Sequence, residues 1–177
     1  SSDGYLVVIN ELHLENKTNG YGLVQSKPLD YLKQLDYGSW FGKQFKNERI
    51  LTLAEVLKLT DSYLPLSIEI KPNQKSGIEA AIETILLQFD SINIHEIFSS
   101  EHRYLKRLSY RNKNIPLGLI CQNQTSNESL SFMDIINCNI AHIYEKDISD
   151  SFIRNLHSEN KIVIVNIDNN NKMINKL

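Results

Sequence analysis

The chain has 177 residues, 41% of them hydrophobic, with 19 Lys and Arg set against 21 Asp and Glu for a net charge of −2. That length and apolar content suit a single globular core, and charges so evenly interspersed argue against a basic nucleic-acid surface or a polybasic membrane patch. No apolar run approaches the roughly 20 residues of a membrane span, the start "SSDG" is not that of a signal peptide, and two cysteines, Cys121 and Cys138, fit free thiols rather than a disulfide framework or metal cluster.

In chain order, "YLVVI" (5–9) predicts a buried strand that ends abruptly in Asn10-Glu11, with His13 and the turn "KTNG" beyond. Residues 10–50 then form an inserted loop region with turn signals ("TNGYG", "DYGSWFG"), the short helical piece "LDYLKQL" and the pair Trp40-Phe41. A long segment carrying aromatics usually serves more than connection; the plainer alternative is a satellite cluster in which Trp40 and Phe41 cover a core edge. "TLAE" (52–55) is a capping box that starts a helix, and "LPLSIEI" (64–70) is a strand. "SGIE" (76–79) is a second capping box, followed by an apolar stripe of Ile78, Ile82, Ile85, Leu86 and Phe89. The strands "IHEIFSS" (94–100), "IPLGLI" (115–120), "IAHIY" (140–144) and "KIVIVNI" (161–167) follow. Between them lie the helical patterns "EHRYLKRL", "LSFMDII" and "DSFIRNL", and "NNKMINKL" starts one more helix at the C-terminus. Strands apolar on both parities and alternating with helices define an α/β protein with a parallel sheet. A doubly wound sheet and a (β/α) barrel both satisfy that pattern.

The most informative stretch for chemistry is "PLSIEIK" (65–71). Side chains alternate along a strand, so Ser67, Glu69 and Lys71 share one face. An acid and a base at the C-terminal end of a strand lie where barrel enzymes place catalytic groups. Two readings stand: a plain ion pair at the strand's wet end, or a carboxylate metal ligand beside a lysine that neutralises a phosphate.

The ordered motifs "DG…VVI", "TNG.G", "GSWFG", "ERILTLAEVL" and "PLSIEIK", continued by "IFSSEH", "PLGLI" and "KIVIVNI", resemble the glycerophosphodiester phosphodiesterase family over nearly the whole chain. The resemblance implies a TIM-type (β/α) barrel that hydrolyses glycerophosphodiesters, as small-molecule substrates, to glycerol 3-phosphate and an alcohol. It also implies a divalent cation, calcium or magnesium, held by three carboxylates, with two histidines as general acid and base. By position it makes Glu69 a metal ligand and Lys71 the phosphate contact. Trp40 and Phe41 become the aromatic pair closing over the substrate, and Asn19-Gly20 the turn of the family's Thr-Asn-Gly motif. Ser99 matches the serine of the family's Ser-Phe position.

The departures are equally specific. Asn10-Glu11 stands where the family has His-Asp, and an asparagine amide does not shuttle protons. His13 lies three residues further on and reads as a solvated loop histidine. His95, His102, His142 and His157 read as structural or solvated. Val165 replaces a family tryptophan. The family's His-Arg-Gly and Glu-x-Asp segments have no counterpart, leaving about five of eight parallel strands plus one hairpin strand, in a chain short of the typical ~250 residues. One carboxylate does not satisfy a cation that wants about six oxygens, so weak or no activity is expected from this chain alone. Open barrel edges point to residues beyond those given, to an oligomeric partner, or to a remnant covered in another way.

Overall fold

The computed structural model describes residues 1–61, 63–72, 77–89, 93–122 and 126–167. It divides into two compact units, Ser1–Pro65 with Asn73–Asn93, and Leu66–Pro72 with Ile94–Leu177.

In the first unit, β1 (Val7–Val8) pairs antiparallel with β2 (Leu51–Thr52). The run "YLVVI" is therefore not the buried parallel strand its composition suggests. Its partner offers only two residues, Val8 stays exposed, and Val7 and Ile9 pack against a small core of Leu14, Val24, Leu32, Leu35 and Ile50. That core is built almost wholly from residues 10–50, around the short helix α1 (Leu29–Gln34). The satellite cluster thus exists, but Trp40 and Phe41 lie outside it, 49% and 68% exposed. Helix α2 (Leu53–Thr60) opens on the expected capping box, with the Thr52 hydroxyl accepting from Glu55 N–H and the Glu55 carboxylate accepting from Thr52 N–H. Lys33, the largest influence, and Thr52 hold the Glu55 carboxyl down at about 2. Helix α3 (Ile78–Leu86) follows Gly77, which takes the left-handed φ of 93° that glycine tolerates. Ser76 of the second expected box and the C-terminal "NNKMINKL" lie outside the described residues.

The second unit is a five-stranded parallel sheet: β3 (Leu66–Glu69), β4 (Ile94–Ser99), β5 (Leu117–Cys121), β6 (Ile140–Tyr144) and β7 (Ile162–Asn166), in that order. Helices α4 (His102–Arg111), α5 (Ser126–Ile135) and α6 (Asp150–Ser158) fill the connections between β4 and β7. Strict sequential order, with no reversal of direction, is the order of a (β/α) barrel rather than of a doubly wound sheet. Five parallel strands together with a separate two-stranded antiparallel sheet make the architecture an incomplete TIM-type barrel.

The register sorts this sheet's side chains into two sets. Ile97, Leu117, Leu119, Cys121, Ala141 and Ile143 are apolar and buried, the composition expected of a face that carries helices. Cys121 and Cys138 are both free, and burial raises each thiol to about 11. The opposite set runs through Ser67 and Glu69, Glu96 and Phe98, Gly118 and Ile120, Ile140 and His142. It is this second face that carries the polar chemistry.

Candidate functional site

At the end of β3, Glu69 and Lys71 project from the same parity and meet, with Lys71 Nζ donating to Glu69 Oε2 at 2.8 Å. Both side chains remain about a quarter exposed, so the pair is accessible at a strand end. Ile70, between them, is fixed from both sides. Its N–H donates to Phe98 O at 2.8 Å, and the buried Ser99 hydroxyl donates to Ile70 O at 2.8 Å. Ser99 Oγ also accepts from Glu101 N–H at 3.1 Å, so Ser99 ties β3 to β4 immediately beside the charged pair.

Glu69 is a hard oxygen donor suited to calcium or magnesium. Its Oε2 is engaged by Lys71, however, and among the described residues no three His, Cys, Asp or Glu side chains form a group able to hold a metal. The described residues do not by themselves fit a divalent cation. What they offer is a carboxylate-oriented ammonium, a point charge suited to a phosphate oxygen.

In the first unit, Asn10 N–H donates to the Tyr37 hydroxyl at 3.1 Å and its side chain is exposed. The Glu11 carboxylate accepts from Asn16 Nδ2 at 3.4 Å. His13 is exposed with Nδ1 3.4 Å from Glu15, consistent with a solvated histidine. The aromatic loop is built around Asp36. Its Oδ1 accepts from the N–H groups of Gly38 and Ser39, and its Oδ2 from the Ser39 hydroxyl and Asn47 N–H. These bonds, that from the Ser39 hydroxyl foremost, hold the carboxyl far below its ordinary range. Asp36 N–H in turn donates to Asn19 Oδ1 at 2.9 Å, joining the "TNG" turn to the "DYGSWFG" loop. The loop presents Trp40 and Phe41 edge to face at 5.6 Å, with Lys17 Nζ 3.5 Å above the Trp40 ring. Gly38 closes the turn, since a Cβ there would lie 1.8 Å from Phe45 O. Gly38→Ala is therefore expected to displace the loop backbone, destabilise the unit by about 1–3 kcal/mol in urea denaturation, and red-shift the emission of Trp40, the chain's single tryptophan.

Glu96, which no motif in the sequence singles out, is wholly buried with Oε2 2.9 Å from His142 Nε2. A carboxylate inside the strand run "IHEIFSS" was the available signal. His142, read there as structural or solvated, is buried as well. His102 stacks on Phe132 at 4.1 Å, and His157 is exposed on α6.

An incomplete (β/α) barrel with a carboxylate and an ammonium at a strand's C-terminal end is of the TIM-barrel class, whose active sites are built at that end. The chain matches the glycerophosphoryl diester phosphodiesterase family over residues 1–177, and it belongs to that family. It is 38% identical over 123 residues to YhdW of Bacillus subtilis, provisionally named a glycerophosphodiester phosphodiesterase, covering 68% of this chain and 50% of that one. It is 34% identical over 125 residues to the glycerophosphodiester phosphodiesterase of Caldanaerobacter subterraneus, covering 69% and 51%. The chain thus spans about half the length of these curated relatives. Among solved structures, an Oleispira antarctica phosphodiesterase in complex with the product sn-glycerol-3-phosphate superposes with a TM-score of 0.86 at 26% identity, covering 99% of this chain and 72% of that one. The Agrobacterium tumefaciens glycerophosphodiester phosphodiesterase, at 20% identity and TM-score 0.69 over 93% and 69%, shares the fold. No helix among the described residues is long and apolar enough to cross a membrane.

Proposed function

We propose that this protein acts on glycerophosphodiesters, hydrolysing them to glycerol 3-phosphate and an alcohol in a reaction that depends on a divalent cation. The observation that carries the reading is the Glu69–Lys71 pair, fixed at the end of a barrel strand in a chain that matches the family along its whole length. Lys71 binds and neutralises a phosphate oxygen, while Glu69 orients the ammonium and supplies one hard oxygen donor. Trp40 and Phe41, presented on the Asp36-built loop, match the aromatic pair of the family's Gly-Ser-Trp-Phe segment. That the Oleispira antarctica relative holds sn-glycerol-3-phosphate supports the product assignment.

A second reading is a member that binds phosphate-bearing ligands without turnover. It is favoured by Asn10, a group that does not titrate near neutrality, at the family's histidine position, and by the lack of a metal-holding group among the described residues. One assay separates the two: release of glycerol 3-phosphate from glycerophosphocholine, with and without EDTA. The hydrolytic reading expects turnover that EDTA abolishes and that Glu69→Ala lowers about 10²–10³-fold, as when a preorganised electrostatic group is lost. Phosphate binding lost in Lys71→Ala, with no turnover under any metal, establishes the second reading instead.

A further inference from the structure

The Glu96–His142 pair is the least expected feature of the second unit. It crosses β5 at Gly118, where a Cβ would lie 2.2 Å from Glu96 Oε2 and 3.2 Å from His142 Cδ2. The missing side chain is what lets a carboxylate from β4 reach an imidazole on β6. The pair is not optimised for stability. Glu96 Oε1 and His142 Nδ1 are buried with no hydrogen-bond partner among the described residues, and a half-satisfied buried pair generally stabilises less than an apolar one of the same volume. Such a pair calls for a role beyond packing.

Its surroundings supply one. The hydrogen bond between His142 Nε2 and Glu96 Oε2 fixes the plane of the imidazole. That ring lies flat on Phe98, with centroids 4.1 Å apart and planes 8° from parallel. Phe98 is the register partner of Glu69, and its carbonyl accepts the N–H of Ile70, while Ser99 next to it donates to the Ile70 carbonyl. The peptide flanked by Glu69 and Lys71 is thus held by the two residues that end β4, the first of them clamped by the His142 ring.

We propose that Glu96 and His142 are positioning residues: through the Phe98 stack and the Phe98–Ser99 clamp on Ile70, they set where Glu69 and Lys71 stand. The consequence for ligands rests on the phosphate-binding role given to Lys71 above, but the positioning itself does not.

The test is the side-chain ammonium ¹⁵N signal of Lys71 in the 177-residue chain, followed without ligand and then during titration with inorganic phosphate. The double variant Glu96→Leu/His142→Leu removes both partners together and leaves neither side chain's polar atoms buried alone, whereas Glu96→Leu by itself strands the His142 ring. In the double variant the Lys71 signal is expected to move toward that of an exposed lysine. Ser99→Ala, which cuts the clamp directly, is expected to produce the same shift, and Glu96→Gln to restore most of the original position. Phosphate affinity in the double variant is expected to fall about tenfold, equivalent to ~1.4 kcal/mol. A double variant that melts cooperatively yet leaves the ligand-free Lys71 signal unmoved, while Ser99→Ala moves it, overturns the proposal. If wild-type Lys71 ignores phosphate, the proposed function fails, and the positioning role is still decided by the ligand-free arm.

Discussion

Gly118→Ala is expected to lower the stability of the parallel-sheet unit by about 3 kcal/mol or more, beyond ordinary overpacking because it also strikes a buried polar pair. The added methyl would lie 2.2 Å from Glu96 Oε2 and 2.8 Å from Phe98 Cβ. The carboxylate is held by His142 and is wholly buried, so it has no solvent to retreat into. Either the pair breaks, leaving polar groups unpaired in the interior, or β5 shifts against the neighbours to which it is paired on both edges. Urea denaturation followed by circular dichroism measures the loss. A mutant cycle assigns its cause: in a Glu96→Ala/His142→Leu background, which removes the pair together, the cost of Gly118→Ala should fall by half or more, since the principal obstacle is gone. Equal costs in both backgrounds would mean that the backbone, not the carboxylate, resists the methyl.

The position of Gly118 also shows where sequence reading reaches its limit. The five parallel strands were legible because each is a short run of Ile, Leu and Val bounded by turn signals, and the structure places all five within one or two residues of those runs. The Thr52–Glu55 capping box was legible because it is local, needing only residues three apart. Glu69 and Lys71 were legible as a pair for the same reason, the alternation of a strand. Glu96 and His142 are 46 residues apart. They meet only because two registers, β4 on β5 and β5 on β6, set them on the same face and because a glycine leaves the gap between them. No local pattern encodes a contact that depends on a third strand. The shortness of β1 is hidden likewise: "YLVVI" has the composition of a central strand, but its pairing is with Leu51–Thr52, a partner distant in sequence and only two residues long. For Trp40 and Phe41 the sequence left two readings, a cover over a core edge or the aromatic pair closing over the substrate, and hydrophobicity alone favours the first. The Asp36 hydrogen bonds, which turn the loop outward, outweigh that tendency.

Asn10→His should raise glycerophosphodiester hydrolysis by about 10²-fold or more, within the 10²–10⁴ range that a positioned general acid or base contributes. The expectation rests on the proposed function and on the local structure around residue 10. The backbone is already anchored, Asn10 N–H donating to the Tyr37 hydroxyl at 3.1 Å, and that bond does not involve the side chain to be exchanged. The Asn10 side chain is exposed, so an imidazole is accommodated without displacing the core of Leu14, Leu32 and Ile50. Stability should therefore stay within about 0.5 kcal/mol of the parent, as for most surface substitutions, and a gain in rate would report chemistry rather than refolding. The pH profile separates a proton shuttle from a mere hydrogen-bond donor. A histidine at position 10 should add a limb to kcat/KM near its ordinary pKa of about 6.5, absent from the parent, whose amide does not titrate there. Asn10→Gln, which keeps an amide, should add neither rate nor limb. A histidine variant that is folded, binds phosphate through Lys71 and yet turns over no faster would show that the missing proton donor is not what limits this chain.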